Sequence, residues 1–350
     1  MERCEFLYVS SSCDRFSTRR SRIVLAVLVC VAIFGIGIGV GSTIHSNHTQ
    51  QPITTITTTT TSSSTTTTPS VCDQSSIFNP TVLSISACSY MAGSLTFNDD
   101  DVNLVSLSLP SLLWVGAQLS VQTCAAITSA SFPTLTSIGS TLDIHYNPQL
   151  TCVSAPSLSS TGNIAFFNNT ALACIIAPAL HVVRGSLAVL SNTVLTQISL
   201  PQLISVHGNV VVQGAPMLTS VMMPMLSAVL GSLQISFNNN ANLASIAFPQ
   251  LTWVSNALLL SDNSMHSLVL PSLRRIGASL SVFSNPALTL LSFPVLVSLG
   301  NQSVQSVVEI YGNAPIFVVP SNLGALWRGH RCFVFNGSYV PPNATFTKCA

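Results

Sequence analysis

Apolar and polar positions alternate in short bursts over most of the chain, and the bursts recur at a fixed distance. The clearest copy runs from Gly139 to Leu150 and reads Gly-x-x-Leu-x-Ile-x-x-Asn-x-x-Leu, with near-copies at Gly231 to Leu243 and Gly277 to Leu288. Between copies stands an apolar residue, a proline, one further residue and a leucine, as in Phe132-Pro133-Thr134-Leu135. The prolines fall at 110, 133, 156, 178, 201, 224, 249, 271 and 294, a spacing of 22 to 25 residues. A fixed period in this range is the signature of a solenoid. Leucine follows each proline by two residues, and apolar residues recur three and six positions before it. Pairs two apart, such as Leu119 and Val121, Leu142 and Ile144, or Leu280 and Val282, accompany them. No helical spacing persists across a unit, so the units predict short strands separated by corners.

The expected fold is mainly β: a right-handed parallel β-solenoid of about 23-residue coils. About ten coils stacked at roughly 4.8 Å would make a rod of roughly 50 Å. Proline suits a corner or strand end because it cannot donate to a ladder, and the glycines at 116, 139, 162, 185, 208, 231, 277 and 300 suit the next bend. Asparagine follows the second strand of a unit at 147, 169, 192, 238, 263, 285 and 313. Stacked there, it would satisfy backbone groups that the corner leaves unpaired, a structural ladder in preference to a ligand site.

The first 70 residues lie outside the period. Residues 1–22 carry Arg15, Arg19, Arg20 and Arg22, and an uncharged apolar run from 23 to 44 follows. That run is long enough to cross a hydrocarbon core of roughly 30 Å as one helix. The arginines place the N-terminus in the cytoplasm and the repeats outside, as in a type II signal-anchored plasma-membrane protein. The alternative is a signal cleaved near Gly41 or Thr43 and a secreted chain. Gly35 and Gly39 have the spacing that lets two membrane helices approach closely, a route to a homodimer. Residues 45–70 are dominated by threonine and serine and read as an extended, O-glycosylated stalk. The repeat domain with its two caps takes up 71–350.

Composition narrows the function classes. Of 350 residues only 6% are charged and the net charge is +1, with no basic cluster beyond the N-terminus. That excludes the electrostatic footprint of a nucleic-acid binder. Asn47, Asn168, Asn301, Asn336 and Asn343 stand in glycosylation sequons, and sugar would keep so charge-poor a surface soluble. The ten cysteines include three before residue 31. Cys72 with Cys88, and Cys332 with Cys349, sit at the two ends of the repeats and are expected to close the caps as disulfides. Cys152 and Cys174 share one register in adjacent coils, either bonded or as two buried thiols, and Cys124 is left over.

The repeat resembles the receptor L-domain, the ligand-binding solenoid of the insulin and epidermal growth factor receptor ectodomains. It is also similar to the repeats of fungal and protist surface and wall proteins of that superfamily. Gly231, Leu233, Ile235, Asn238, Leu243, Phe248, Pro249, Leu251 and Val254 carry the match, with their equivalents from about Ile85 to Tyr311. The chain departs from the receptors: no kinase follows, and no cysteine-rich module separates two L-domains. The resemblance implies extracellular recognition without receptor signalling. A leucine-rich-repeat horseshoe is the alternative fold.

No catalytic residue, metal set or cofactor is expected. Asp143 and His145, two apart on one strand, are the best local pair, but glycosidic chemistry needs two placed carboxylates. Asp99-Asp100-Asp101 lacks the spacing of a calcium loop, and the histidines lack metal-ligand spacing. The outward positions of the second strand include Asp143, His145, Phe167, Leu190, Val211, Gln213, Leu259 and Phe283, apolar enough to mark a binding face or a face covered by side chains or glycans. The expected function is non-catalytic recognition of an extracellular protein or glycan. The alternatives are a structural coat or wall glycoprotein and, more distantly, a polysaccharide-acting enzyme.

Overall fold

The computed structural model describes residues 71–72, 76–78, 87–98, 104–235, 242–300, 307–314, 323 and 331–334. The expected membrane segment, stalk, Cys332–Cys349 pair and all sequons but Asn168 lie outside these residues or outside their described side chains. Among the described residues no helix is long and apolar enough to cross a membrane.

Each coil carries three short strands. In the coil opened by Pro110 they are Trp114–Val115, Leu119–Gln122 and Ser129–Ser131. Each pairs in parallel with its equivalent in the next coil, Trp114 with Ser137, Leu119 with Leu142 and Ser129 with Cys152. About nine complete coils stack between Ser106 and Tyr311. First and second strands fuse in Ser137–His145 and Ser160–Phe167, so their ladders form one sheet, while the third strands form shorter separate sheets.

The inward positions form one continuous interior. Leucines two after each proline, from Leu112 to Leu296, are all buried, as are the residues just before the prolines, including Phe132, Phe248 and Phe293. Where that last position holds only Ala155 and Ala177, a void of about 20 Å³ remains, lined by them with Leu142, Phe166, Leu187 and Ile198. It is apolar and too small for a ligand.

Three ladders hold the corners. Asn147 accepts the Cys124 N–H at its Oδ1 (3.0 Å) and donates its amide to Val121 O (2.9 Å) and Asn169 Oδ1 (3.1 Å). Asn169 repeats this against Asn192, and Asn263, Asn285 and Asn313 form a second run. The expected structural role is thus met at these six amides, while Asn238 lies outside the described residues. A second ladder, which the repeat pattern did not suggest, links Asn163, Ser186, Asn209 and Ser232: each side chain accepts the N–H of the next coil's bend. Threonine and serine hydroxyls make a third, as Thr136 Oγ1 donates to Leu113 O (2.8 Å) and Ser159 Oγ to Thr136 O (2.9 Å).

Seven of the eight repeated glycines serve a different purpose from the bend conformation expected of them, while Gly300 does have the positive φ of such a bend, 82°. A Cβ on Gly139 would stand 1.9 Å from the Gly116 carbonyl oxygen, so these glycines are required by the close approach of successive coils. The left-handed conformation falls instead on the residue after the second strand, and mostly on residues other than glycine: Thr123, Tyr146, Asn168, Ser191, Asp262 and Ser284.

Cys72 bonds to Cys88 at the N-terminal end, and Cys152 to its register partner Cys174 across two third strands. Cys124 is buried and takes part in no disulfide.

Candidate functional site: the outward face of the second strands

Alternation along the second strands sends every other side chain out of the interior, and parallel register lines these side chains up in two columns. One column runs Ser120, Asp143, Ala165, Ala188, Val211, Gln234, Leu259, Ser281, Glu309. The other contains Gln122, His145, Phe167, Leu190 and Gln213, and later Ser261, Phe283 and Tyr311. All eight residues expected on a binding face therefore lie on one face.

Their exposure divides them. Leu190 (6% exposed), Val211 (1%) and Asp143 (4%) are buried, and with Ala165 and Ala188 the apolar ones stand apart from the interior cluster. An open apolar patch at Leu190 and Val211 is thus corrected: both point away from the interior but are covered. His145, Phe167, Gln213, Leu259 and Phe283 keep partial exposure, so contact falls mainly to the second column.

That column carries two ring stacks. His145 lies on Phe167, with centroids 4.4 Å apart and planes within 3°, and Tyr146 meets both edge-on. Five second strands beyond Phe167, Phe283 lies on Tyr311 at 4.9 Å and 6°. Each stack has a carboxylate two residues before its outer ring, in Asp143-Ile144-His145 and Glu309-Ile310-Tyr311. Asp143 Oδ1 meets His145 Nδ1 at 2.9 Å, and its Oδ2 accepts from Gln118 Nε2 at 3.2 Å. Ser281 Oγ donates to Glu309 Oε2 at 3.3 Å. Burial, then the charges of Glu309 and Asp262, push the Tyr311 phenol above its ordinary 10.0. The Ser120 and Ser261 hydroxyls on the same face are buried without a hydrogen-bond partner, the kind of unmet group that a ligand or ordered water fills.

The arrangement suits contact better than chemistry. Both Asp143 oxygens are engaged, and its register neighbours Ser120 and Ala165 are not acids, so among the described residues of its own column no carboxylate stands beside it. Among the described residues no three His, Cys, Asp or Glu side chains gather where they could hold a metal. Sequence reasoning missed Tyr311 and Glu309. An insertion before Val308 hid their register, although the inward pair Val308 and Ile310 marks it. Asn168, the one sequon described, sits half-buried in a left-handed corner beside this face.

No family model matches the chain, and no curated protein matches it. Among solved structures, a leucine-rich repeat protein from Bacteroides ovatus is similar over 68% of this chain and 83% of its own, at 14% identity and a TM-score of 0.29. The assignment of the fold rests on the ladders themselves.

Proposed function

We propose that the protein is a non-catalytic recognition protein of the cell surface, held by one N-terminal membrane helix with the repeats outside, and that its second-strand face binds an extracellular protein. Disulfides support an oxidising compartment, and the apolar run at 23–44 with its flanking arginines supports the anchor. The observation that carries the reading is the pair of half-exposed ring stacks in one column. Aromatic side chains with a polar edge are favoured anchors of protein interfaces.

Ring geometry supports a protein over a glycan at this face. A sugar is bound by laying its C–H face on an open ring face, and here each ring gives one of its two faces to its stacking partner. What remains outward is ring edge, beside the partly exposed Glu309 at the second stack, which suits protein donors. Phe167→Asp with Phe283→Asp in the full-length chain tests this. Against an array of purified extracellular proteins, the wild type should bind a partner saturably and the double variant at least tenfold more weakly, a loss of about 1.4 kcal/mol or more. No saturable partner, or equal binding by the variant, overturns the reading and favours a structural coat.

A further inference from the structure

The neighbouring face, built by the first strands, has the opposite chemistry. Its outward column includes Trp114, Ser137, Ser160 and, further along, Trp253 and Arg275. Trp114 and Trp253 are 36% and 41% exposed although both sit on regular strands. Cη2 of Trp114 is 2.8 Å from where a Cβ on Gly116 would stand. The tip of the indole therefore reaches along its own strand to the glycine, and the side chain keeps 36% of its surface exposed. Beside it, the Ser137 and Ser160 hydroxyls meet at 3.3 Å and Arg184 Nη2 donates to Ser160 Oγ at 3.2 Å. At the far end the Arg275 guanidinium stands 6.0 Å from the Trp253 ring centre.

Charge is divided between the two faces. Among residues with described side chains, all three arginines, 184, 274 and 275, lie on the first strands or the residues flanking them. All three acids, Asp143, Asp262 and Glu309, lie on the second strands or the corner after them. Among these residues the first-strand face therefore carries only positive charge.

We propose that the first-strand face is a binding site for an extended anionic polysaccharide. Exposed indole surface, as at Trp114 and Trp253, is what a pyranose ring stacks on. The serine hydroxyls supply neutral hydrogen bonds, and guanidinium groups pair with carboxylate or sulfate in a fork geometry. Trp114 and Trp253 are six coil steps apart, about 29 Å at the sheet spacing. One linear chain several sugars long spans both, and a monosaccharide does not. The inference is independent of the protein-binding reading, since it uses none of that face's residues.

The test uses the full-length protein in detergent with three probes of equal length: a heparin-derived oligosaccharide (sulfated), an oligogalacturonate (carboxylated) and a neutral cello-oligosaccharide. At least one anionic probe should change the intrinsic tryptophan fluorescence saturably, with affinity falling as salt rises. Trp114→Ala, Trp253→Ala and the double substitution Arg184→Gln with Arg275→Gln should each weaken binding at least tenfold, with the far-ultraviolet spectrum unchanged. Phe167→Asp with Phe283→Asp should leave it unaltered. Which anionic probe binds tells sulfate from carboxylate. The proposal is overturned if no probe binds, if the neutral chain binds as tightly, if the indole and arginine variants bind like the wild type, or if the second-strand variant abolishes binding.

Discussion

Asn169 shows how much one side chain does when it is repeated. Its Oδ1 accepts both the backbone N–H and the side-chain amide of Asn147, each at 3.1 Å, and its own amide reaches Ile144 O at 2.9 Å. Asn169→Ala would strand two buried donors and one carbonyl, so it should destabilise the folded repeats by about 2–4 kcal/mol in urea unfolding. A cost below about 1 kcal/mol would mean that water replaces the amide. Tyr311 is the other residue with a measurable consequence. Its phenol is held neutral above 10.0 by burial and by the nearby Glu309 and Asp262 charges. Since its folded pKa is raised, the stability it contributes is complete below 10.0 and is lost as pH rises through the folded value. A titration followed at 295 nm should show a late-ionising phenol that Tyr311→Phe removes. If Tyr311→Phe instead removes a phenol ionising in the ordinary range, the account of that pocket fails.

At the scale of the element, the coil is a flat layer whose quality depends on what its neighbours place in the same register. The position before the proline holds Phe, Leu or Met in seven of nine coils and alanine at 155 and 177, and the interior void sits there. Filling it should stabilise the stack: Ala177→Leu is expected to raise unfolding free energy by about 1 kcal/mol, measured by chemical denaturation. Destabilisation would show that the void has already relaxed and the new methyl groups overpack it. The same logic explains the glycines. Coil spacing is set by the parallel ladder, and at the bend after the first strand that spacing leaves no room for a Cβ. The Cys152–Cys174 bond joins residues already held in register, so it reinforces the stack without defining it.

For the molecule as a whole, stacking makes each outward register a column, and each column a surface with its own chemistry. The second-strand columns bring acids and stacked rings together, while the first-strand column brings together exposed indoles, hydroxyls and arginines. The two faces place their binding predictions on separate residues, so Phe167→Asp with Phe283→Asp and Trp114→Ala with Trp253→Ala should separate them in the same preparation. Charge is scarce among the described residues, and its division there between adjacent faces gives each a sign that net charge conceals.

By itself the sequence determined the period, the strand class, the inward set and the asparagine ladder. These repeat, and a repeat in a chain forces a repeat in space: Leu142, Ile144 and Asn147 can be read from their copies. The ladder through Asn163, Ser186, Asn209 and Ser232 was less legible, because asparagine and serine alternate in one task and no single residue type marks the position. Exposure was decided only in three dimensions. Leu190 and Phe167 look alike along the strand, yet one is covered and the other half-open, because accessibility depends on everything packed around a side chain. The stacks of His145 on Phe167 and Phe283 on Tyr311 were likewise set by the fold. Each joins residues 22 and 28 positions apart in the chain that register alone brings within 5 Å.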